Sequence, residues 1–280
     1  MAHQARKRFG QHFLIDRNVI DAIVHAVLDE AGVDSSVPNQ LVEIGPGLGA
    51  LTDALIKSKR HLTAIEIDRD LIAKLRRRYN DTQLSVIEAD ALSFDFASLS
   101  ASMTIAGNLP YNISSPLLIA LIAVAPRVNR QVFMLQKEVV DRIVAQSSSK
   151  AYGRLTVMLQ AFYHVKSLFN VPPEAFDPPP RVNSSIVQMI PRQQISVLSK
   201  DWLEALLAAA FSQRRKMLRA TLFKWLLPLG IANCSFTPTA RPEDITVDQW
   251  ISLSNDLAQL HPAGPKSVIG VMPSLDESLS

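Results

Sequence analysis

The stretch EIGPGLGAL, Glu43 to Leu51, decides the fold. It continues an apolar run, Leu41 to Ile44, and then sets glycines at Gly45, Gly47 and Gly49 ahead of a helical pattern from Ala50 to about Lys59. That order reads as a buried strand bending sharply into a helix, with glycine where the backbone must turn and approach a neighbour closely. Upstream, Asp16 precedes an amphipathic helix whose Val19, Ile20, Ile23, Val24, Val27 and Leu28 fall at helical spacing, ending near Gly32. Downstream, a strand over Leu62 to Ile67 carries Glu66 near its end, with Asp68 just beyond, and gives way to a helix through Leu71, Ile72 and Leu75. Leu84 to Ile87 is a third strand closing at Asp90, and Met103 to Ala106 is a fourth, followed by a helix over Ser115 to Val124. Strand and helix alternate, which predicts a mostly parallel α/β sheet.

Further strands are expected over Gln131 to Leu135, Val165 to Val171 and Ser185 to Ile190, with helices over Val139 to Ala145 and Leu155 to Phe162. Beyond Pro191 only helical periodicity remains, at Trp202 to Phe211, Met217 to Leu226 and Val247 to Leu260. The expected organisation is an α/β domain over 1–192, a small helical domain over 193–262 and a flexible tail over 263–280. Two proline patches, Pro172 with Pro173 and Pro178 to Pro180, bracket Phe176 in a segment that cannot be helix interior.

Composition narrows the class. With 280 residues, 48% apolar and 20% charged, the chain can bury a full core. Its longest apolar run, Leu117 to Ala125, is far short of the ~20 residues that span a bilayer. The polar, basic N-terminus does not read as a secretory signal, so a cytoplasmic protein with no membrane association is expected, and a monomer. One cysteine, Cys234, in apolar surroundings reads as an inert buried thiol, and the six histidines lack HxxxH or HxH spacing, so no metal is expected. The net charge is only +3, but positive residues cluster at Arg6, Lys7 and Arg8 and at Arg214, Arg215, Lys216 and Arg219, the latter within a helical pattern. Such clusters suit phosphate contacts as well as solvated faces.

The chemistry concentrates in Asn108, Leu109, Pro110 and Tyr111, behind the fourth strand and Gly107. An amide oxygen, a backbone carbonyl at a proline turn and an aromatic face are what a flat ring with an exocyclic amine requires. Neutral acceptors suit methylation of an adenine amine, since they stabilise positive charge as it moves onto the nitrogen. The glycine turn alone leaves a rival open. Gly45, Gly47 and Ala50 fit the loose GxGxxG/A pattern, and Glu66 stands where a nicotinamide enzyme holds ribose hydroxyls. The methyltransferase reading also uses Asp90, with Ala91 backbone beside it, as the acceptor for a cofactor's adenine amine, and offers Glu43 to an ammonium group.

Together these motifs resemble the ribosomal RNA adenine dimethyltransferases. The resemblance runs through RKRFGQHFL at Arg6 to Leu14, VEIGPGLGALT at Val42 to Thr52, IEIDRDL at Ile65 to Leu71 and GNLPYNIS at Gly107 to Ser114. It continues through MLQKEVVDRIVA at Met134 to Ala145, KAYGRL at Lys150 to Leu155, FDPPPRVNSS at Phe176 to Ser185 and AFSQRRKMLRATL at Ala210 to Leu222. It implies a Rossmann-like sheet that binds S-adenosylmethionine, without metal, and dimethylates two adjacent adenosines near the 3′ end of 16S rRNA in the assembling 30S subunit. The leucine of GNLPY favours this over the related large-subunit methyltransferases. Carried over by residue, His12, Leu14, Gly45, Gly47, Glu66, Asp90, Ala91 and Asn108 would contact the cofactor. Asn108 and Pro110 would orient the target amine, and Tyr111 and Phe176 would sandwich the flipped base. Arg6, Lys7, Arg8, Arg214, Arg215, Lys216 and Arg219 would face RNA. The chain departs from the family's frequent Asn at His12 and its frequent Lys at Arg181.

Overall fold

The structure, a computed structural model, describes residues 12–29, 39–100, 102–213, 216–231 and 234–268. In chain order its elements begin β1 (Phe13–Leu14), α1 (Arg17–Leu28), β2 (Gln40–Ile44), α2 (Ala50–Ile56), β3 (Leu62–Glu66), α3 (Arg69–Arg78) and β4 (Leu84–Glu88). They continue β5 (Met103–Asn108), α4 (Ser114–Leu121), β6 (Val128–Gln136), α5 (Lys137–Ile143), α6 (Arg154–Gln160) and β7 (Tyr163–Val171). Last come β8 (Phe176–Asp177), β9 (Ser184–Pro191), α7 (Lys200–Phe211), α8 (Leu222–Leu226) and α9 (Val247–Leu260).

Seven strands form one sheet in the order β4-β3-β2-β5-β6-β9-β7. The first five are parallel to one another, and β9 runs antiparallel to β6. β3, LTAIE, is buried at every position, as expected of a strand covered on both faces. Successive strands proceed outward from β2 through β3 to β4, and then the chain returns to add β5 and β6 on the other side of β2. The order therefore reverses between β2 and β5. In open α/β sheets the crevice at the carboxyl ends of such a strand pair is where ligands bind.

Local chemistry sets the edges of these elements. The Asp16 carboxylate accepts from the backbone N–H of Asn18 at 2.8 Å and of Val19 at 3.2 Å, capping α1. α1 buries Ile23 and Val27, each contributing roughly 1.5–3 kcal/mol. Its end is tied to β6 by the buried Arg130, whose Nη1 donates to the Ala26 carbonyl at 3.1 Å and pairs with Asp29 at 2.8 Å. β1 and β8 make a separate two-stranded ribbon, with Leu14 opposite Phe176.

The chain divides into two compact units: one runs to Val140 and resumes over His164–Pro191, and the other joins Asp141–Tyr163 to the chain from Arg192. The second unit is thus not the contiguous 193–262 expected from periodicity. Tyr152 shows why: its ring is fully buried and its hydroxyl donates to the Ile245 carbonyl at 2.7 Å, while α6 packs on α7 and α9. Within this unit Trp202 and Leu206 of α7 and Trp250 and Leu257 of α9 are buried, with Trp250 and Phe211 ring centroids 6.0 Å apart.

Met217 to Leu226 does not form the single helix expected. A 3-10 turn over Leu218–Ala220 precedes the short α8 because the Leu218 and Arg219 amides are drawn to the carbonyls of Ala240 and Pro238, at 2.9 and 2.8 Å. Cys234 is half-buried rather than buried, and desolvation raises its thiol pKa. No helix among the described residues is long and apolar enough to cross a membrane, and none of them cluster as a metal-ligating group.

Candidate active site

The carboxyl ends of β2, β3 and β5, with β1 and the turn after β4, enclose a cavity of about 210 Å³. Its shape begins with two glycines. A Cβ on Gly107 would lie 2.5 Å from the Ile44 carbonyl oxygen, so only glycine lets β5 approach the end of β2 this closely. Gly47 has φ +59°, a left-handed conformation that costs other residues energy, and a Cβ there would meet the Phe13 ring at 3.4 Å.

Three carboxylic acids, Glu43, Glu66 and Asp90, line this cavity, and no Lys or Arg does so among the described residues. Glu43 is 1% exposed and accepts from the Thr52 hydroxyl at 2.7 Å. Burial pushes its pKa up to about 7 against the lowering effect of that bond, with Glu66 and Asp53 adding to the rise. Glu66 is also raised by burial, but backbone donors oppose this. One of its oxygens accepts the N–H groups of Ile67 and Asp68, both at 2.9 Å, and the other faces the Gly47 N–H at 3.4 Å. Glu66 does not cap the following helix; Asp68 does, accepting from the Asp70 N–H at 3.0 Å. Asp90 accepts from the Leu92 N–H at 3.0 Å, so the turn uses one of its two oxygens.

On the β5 side, the Asn108 side-chain Nδ2 donates to the His12 carbonyl at 3.0 Å. That bond fixes which end of the amide is which. Asn108 lines the cavity beside Pro110 and Tyr111, and with Nδ2 spent its Oδ1 is the side chain's acceptor. The Tyr111 hydroxyl bonds Ser184 Oγ at 2.8 Å, and burial raises its pKa, so it remains a neutral phenol.

Of the residues singled out by sequence, His12, Leu14, Gly45, Gly47, Glu66, Asp90, Asn108, Pro110 and Tyr111 all line the cavity. Two do not. Ala91 is buried, and the Asp90 turn presents Leu92 to the wall instead. Phe176, expected as the second ring on the base, is 3% exposed and belongs to the hydrophobic core cluster, on a strand that pairs with β1. Lys216 and Arg219 are exposed on the helical unit, whereas Arg6, Lys7, Arg8, Arg214 and Arg215 lie outside the described residues. Sequence reasoning missed the apolar wall of Leu48, Ile67 and Leu92, each at least 40% exposed. An apolar residue just beyond a strand's terminal acid, as at Ile67, was the available signal.

The family model for ribosomal RNA adenine dimethylase matches residues 2–259. A protein of Bordetella petrii named ribosomal RNA small subunit methyltransferase A is 52% identical over 259 residues, covering 92% of this chain and 97% of its own. Among solved structures, a dimethyladenosine transferase from Plasmodium falciparum superposes with TM-score 0.72 at 27% identity, covering 89% of this chain and 98% of that one. The 23S rRNA methyltransferase ErmE shares the fold, with TM-score 0.64 at 22% identity over 88% of this chain and 100% of its own. The match over nearly the whole chain, falling on a sheet whose switch point carries the acids and the Asn108 loop, means that this chain belongs to the ribosomal RNA adenine dimethylase family of S-adenosylmethionine-dependent methyltransferases.

Proposed function

We propose that the protein dimethylates the N6 amines of two adjacent adenosines near the 3′ end of small-subunit ribosomal RNA during subunit assembly. The observation that carries this is the Asn108 amide, whose Nδ2 is held by the His12 carbonyl while its Oδ1 stands with Pro110 and Tyr111 on the wall shared with Glu66 and Asp90. A neutral acceptor at that point grips an amine hydrogen and strengthens its hold as the nitrogen becomes positive.

The donor set fits S-adenosylmethionine. A ligand bearing sulfonium and ammonium charges is favoured by Glu43, Glu66 and Asp90, whereas the pyrophosphate of a nicotinamide cofactor would meet carboxylates with no cationic side chain among the described lining residues to offset them. When bound, S-adenosylmethionine supplies an electrophilic methyl group. Glu66 would accept from the two ribose hydroxyls, each charge-assisted bond contributing roughly 1.5–3 kcal/mol. Asp90 would accept from the adenine amine between Ile67 and Leu92, the Gly45 to Gly49 turn would carry the methionine portion, and Glu43 would face its ammonium. Across the cavity, Asn108 Oδ1 and the Pro110 carbonyl would hold the target amine with its lone pair inward, and its released proton would pass to water. No metal takes part in this scheme. The helical unit, with Lys216 and Arg219 exposed, would contribute contacts to RNA phosphates of the assembling subunit.

The test is mass spectrometry of the 3′ fragment of small-subunit RNA from undermethylated 30S particles incubated with the protein and S-adenosylmethionine. Two dimethylated adenosines are expected. An unshifted fragment alongside normal cofactor binding would overturn the assignment.

A further inference from the structure

We propose that a second cleft, built by Lys137 and Arg181 beside the target wall, holds the backbone phosphate of the nucleotide next to the target adenosine. The inference rests on the function proposed above. The cleft encloses about 350 Å³ and shares no lining residue with the cofactor cavity. Strand register sets its place. Asn108, at the end of β5, lies opposite Met134 of β6, and two residues further along β6 Gln136, on the cleft wall, lies opposite Ser184 of β9. At roughly 3.3 Å per residue, β6 has advanced roughly 7 Å beyond the level of Asn108. Ser184 also bonds the Tyr111 hydroxyl at 2.8 Å, so the target wall and the cleft meet at one joint. The Lys137 N–H donates to the Asn183 carbonyl at 2.9 Å, which ties the cleft's two walls together.

Charge decides what such a cleft takes. Lys137 and Arg181 face one acid, Glu138, whereas the cofactor cavity is lined by Glu43, Glu66 and Asp90 with no cation among the described residues. Two cations against one acid leave a single positive charge, which matches one phosphodiester. The cationic methyl donor and the anionic strand are thus met by fields of opposite sign along one sheet edge. Arg181 is exposed, and a guanidinium presents a planar fork of donors that fits phosphate oxygens. The amides of Gln136 and Asn183 add neutral donors, and Val182, 45% exposed, offers an apolar contact to the sugar. Contacts to phosphate and sugar fix the register and orientation of a strand. The cleft would therefore position the RNA so that the neighbouring amine reaches Asn108.

The test uses the full chain, undermethylated 30S particles and S-adenosylmethionine. Arg181→Gln and Lys137→Gln should each raise the KM for particles by roughly tenfold, the effect of one charge-assisted hydrogen bond. The kcat should change little, because the contact is the same before and during transfer. Each should also flatten the plot of log(kcat/KM) against log salt by roughly 0.7–0.9. Arg181→Lys keeps the charge and should keep the parent's slope. Calorimetry with S-adenosylmethionine should match the parent in all three, which also shows that each is folded. A parent-like KM and slope in either Gln variant that binds the cofactor normally would overturn the proposal. An iron chelate tethered at Val182→Cys, in a Cys234→Ser background, should cut the RNA strand beside the target adenosines. Raised KM values without such cuts would give the cleft to an acidic protein surface of the particle and overturn the phosphate assignment. If the parent makes no dimethyladenosine the functional reading fails; if it does and the Gln variants behave as the parent, only the cleft is misassigned.

Discussion

Replacing Glu43 with Gln should remove a large part of the pH dependence of stability. Burial pushes this carboxyl from an ordinary 4.5 to about 7, so between those values the folded chain keeps a proton that the unfolded chain has released. The folded state binds more protons, and the unfolding free energy falls as pH rises. The contribution is complete below the unfolded value and lost as pH climbs through the folded one. At 1.36 kcal/mol per pH unit, the interval corresponds to about 3 kcal/mol, an order-of-magnitude figure. Gln is a fair mimic of the protonated acid, because its amide oxygen can still accept from the Thr52 hydroxyl. Urea unfolding of the ligand-free protein, from about pH 5 to about pH 8, should show the parent losing stability relative to the variant, which ends more stable by up to ~3 kcal/mol. Glu66 is raised in the same direction and remains in both proteins, so the difference between the two curves reports Glu43 together with its coupling to Glu66. Parallel curves would refute the reasoning. A cationic ligand beside Glu43 would also drive it to ionise. Titration calorimetry in buffers of different ionisation enthalpy should therefore show proton release when S-adenosylmethionine binds the parent, and less for the variant.

The remaining predictions concern the two walls of the cavity. Asn108→Ala should retain cofactor affinity but slow single-turnover methylation by roughly two to three orders of magnitude, on the scale of losing one oriented polar group at a reacting centre; an unchanged rate would sink its role. Glu66→Ala should abolish measurable S-adenosylmethionine binding, and a normal isotherm would argue against the ribose contact. Gly107→Ala forces a methyl group to 2.5 Å from the Ile44 carbonyl, and should lower stability by roughly 1–3 kcal/mol in a thermal melt. A melt equal to the parent's would mean that β2 and β5 can part without cost.

The parallel sheet was legible because strand and helix differ in period and each strand end carries a signal: glycines after β2, Glu66 ending β3, Asp90 just after β4 and Asn108 ending β5. Several of those same residues, Gly45, Gly47, Glu66, Asp90 and Asn108, meet on the cavity wall, since a switch point gathers strand ends that are distant in sequence. What escaped reading was tertiary. Nothing in the periodicity of Leu155 to Phe162 says that it packs with α7 and α9; Tyr152 decides that through a carbonyl 93 residues away. The basic stretch near Arg219 has helical spacing, yet its amides pair with a loop near Pro238 instead. The burial of Phe176 is tertiary in the same sense, since its strand pairs with β1 and its ring joins the core cluster.

The polarity of the Asn108 amide unites the two sides of the site. An aspartate there could not donate to the His12 carbonyl, and would bring a further negative charge towards a cavity already lined by Glu43, Glu66 and Asp90. With all four ionised, mutual repulsion would raise their pKa values, and the cationic donor would be held more strongly before reaction than during it. An amide avoids both effects. Its nitrogen is spent on the His12 carbonyl, which leaves the oxygen as the acceptor, and in the proposed reaction that oxygen would stay neutral while the amine it holds gains positive charge. On the proposed reading the acids would serve the cofactor's side and the neutral acceptors the target's, a division that follows from one hydrogen bond between residues 96 apart in the chain.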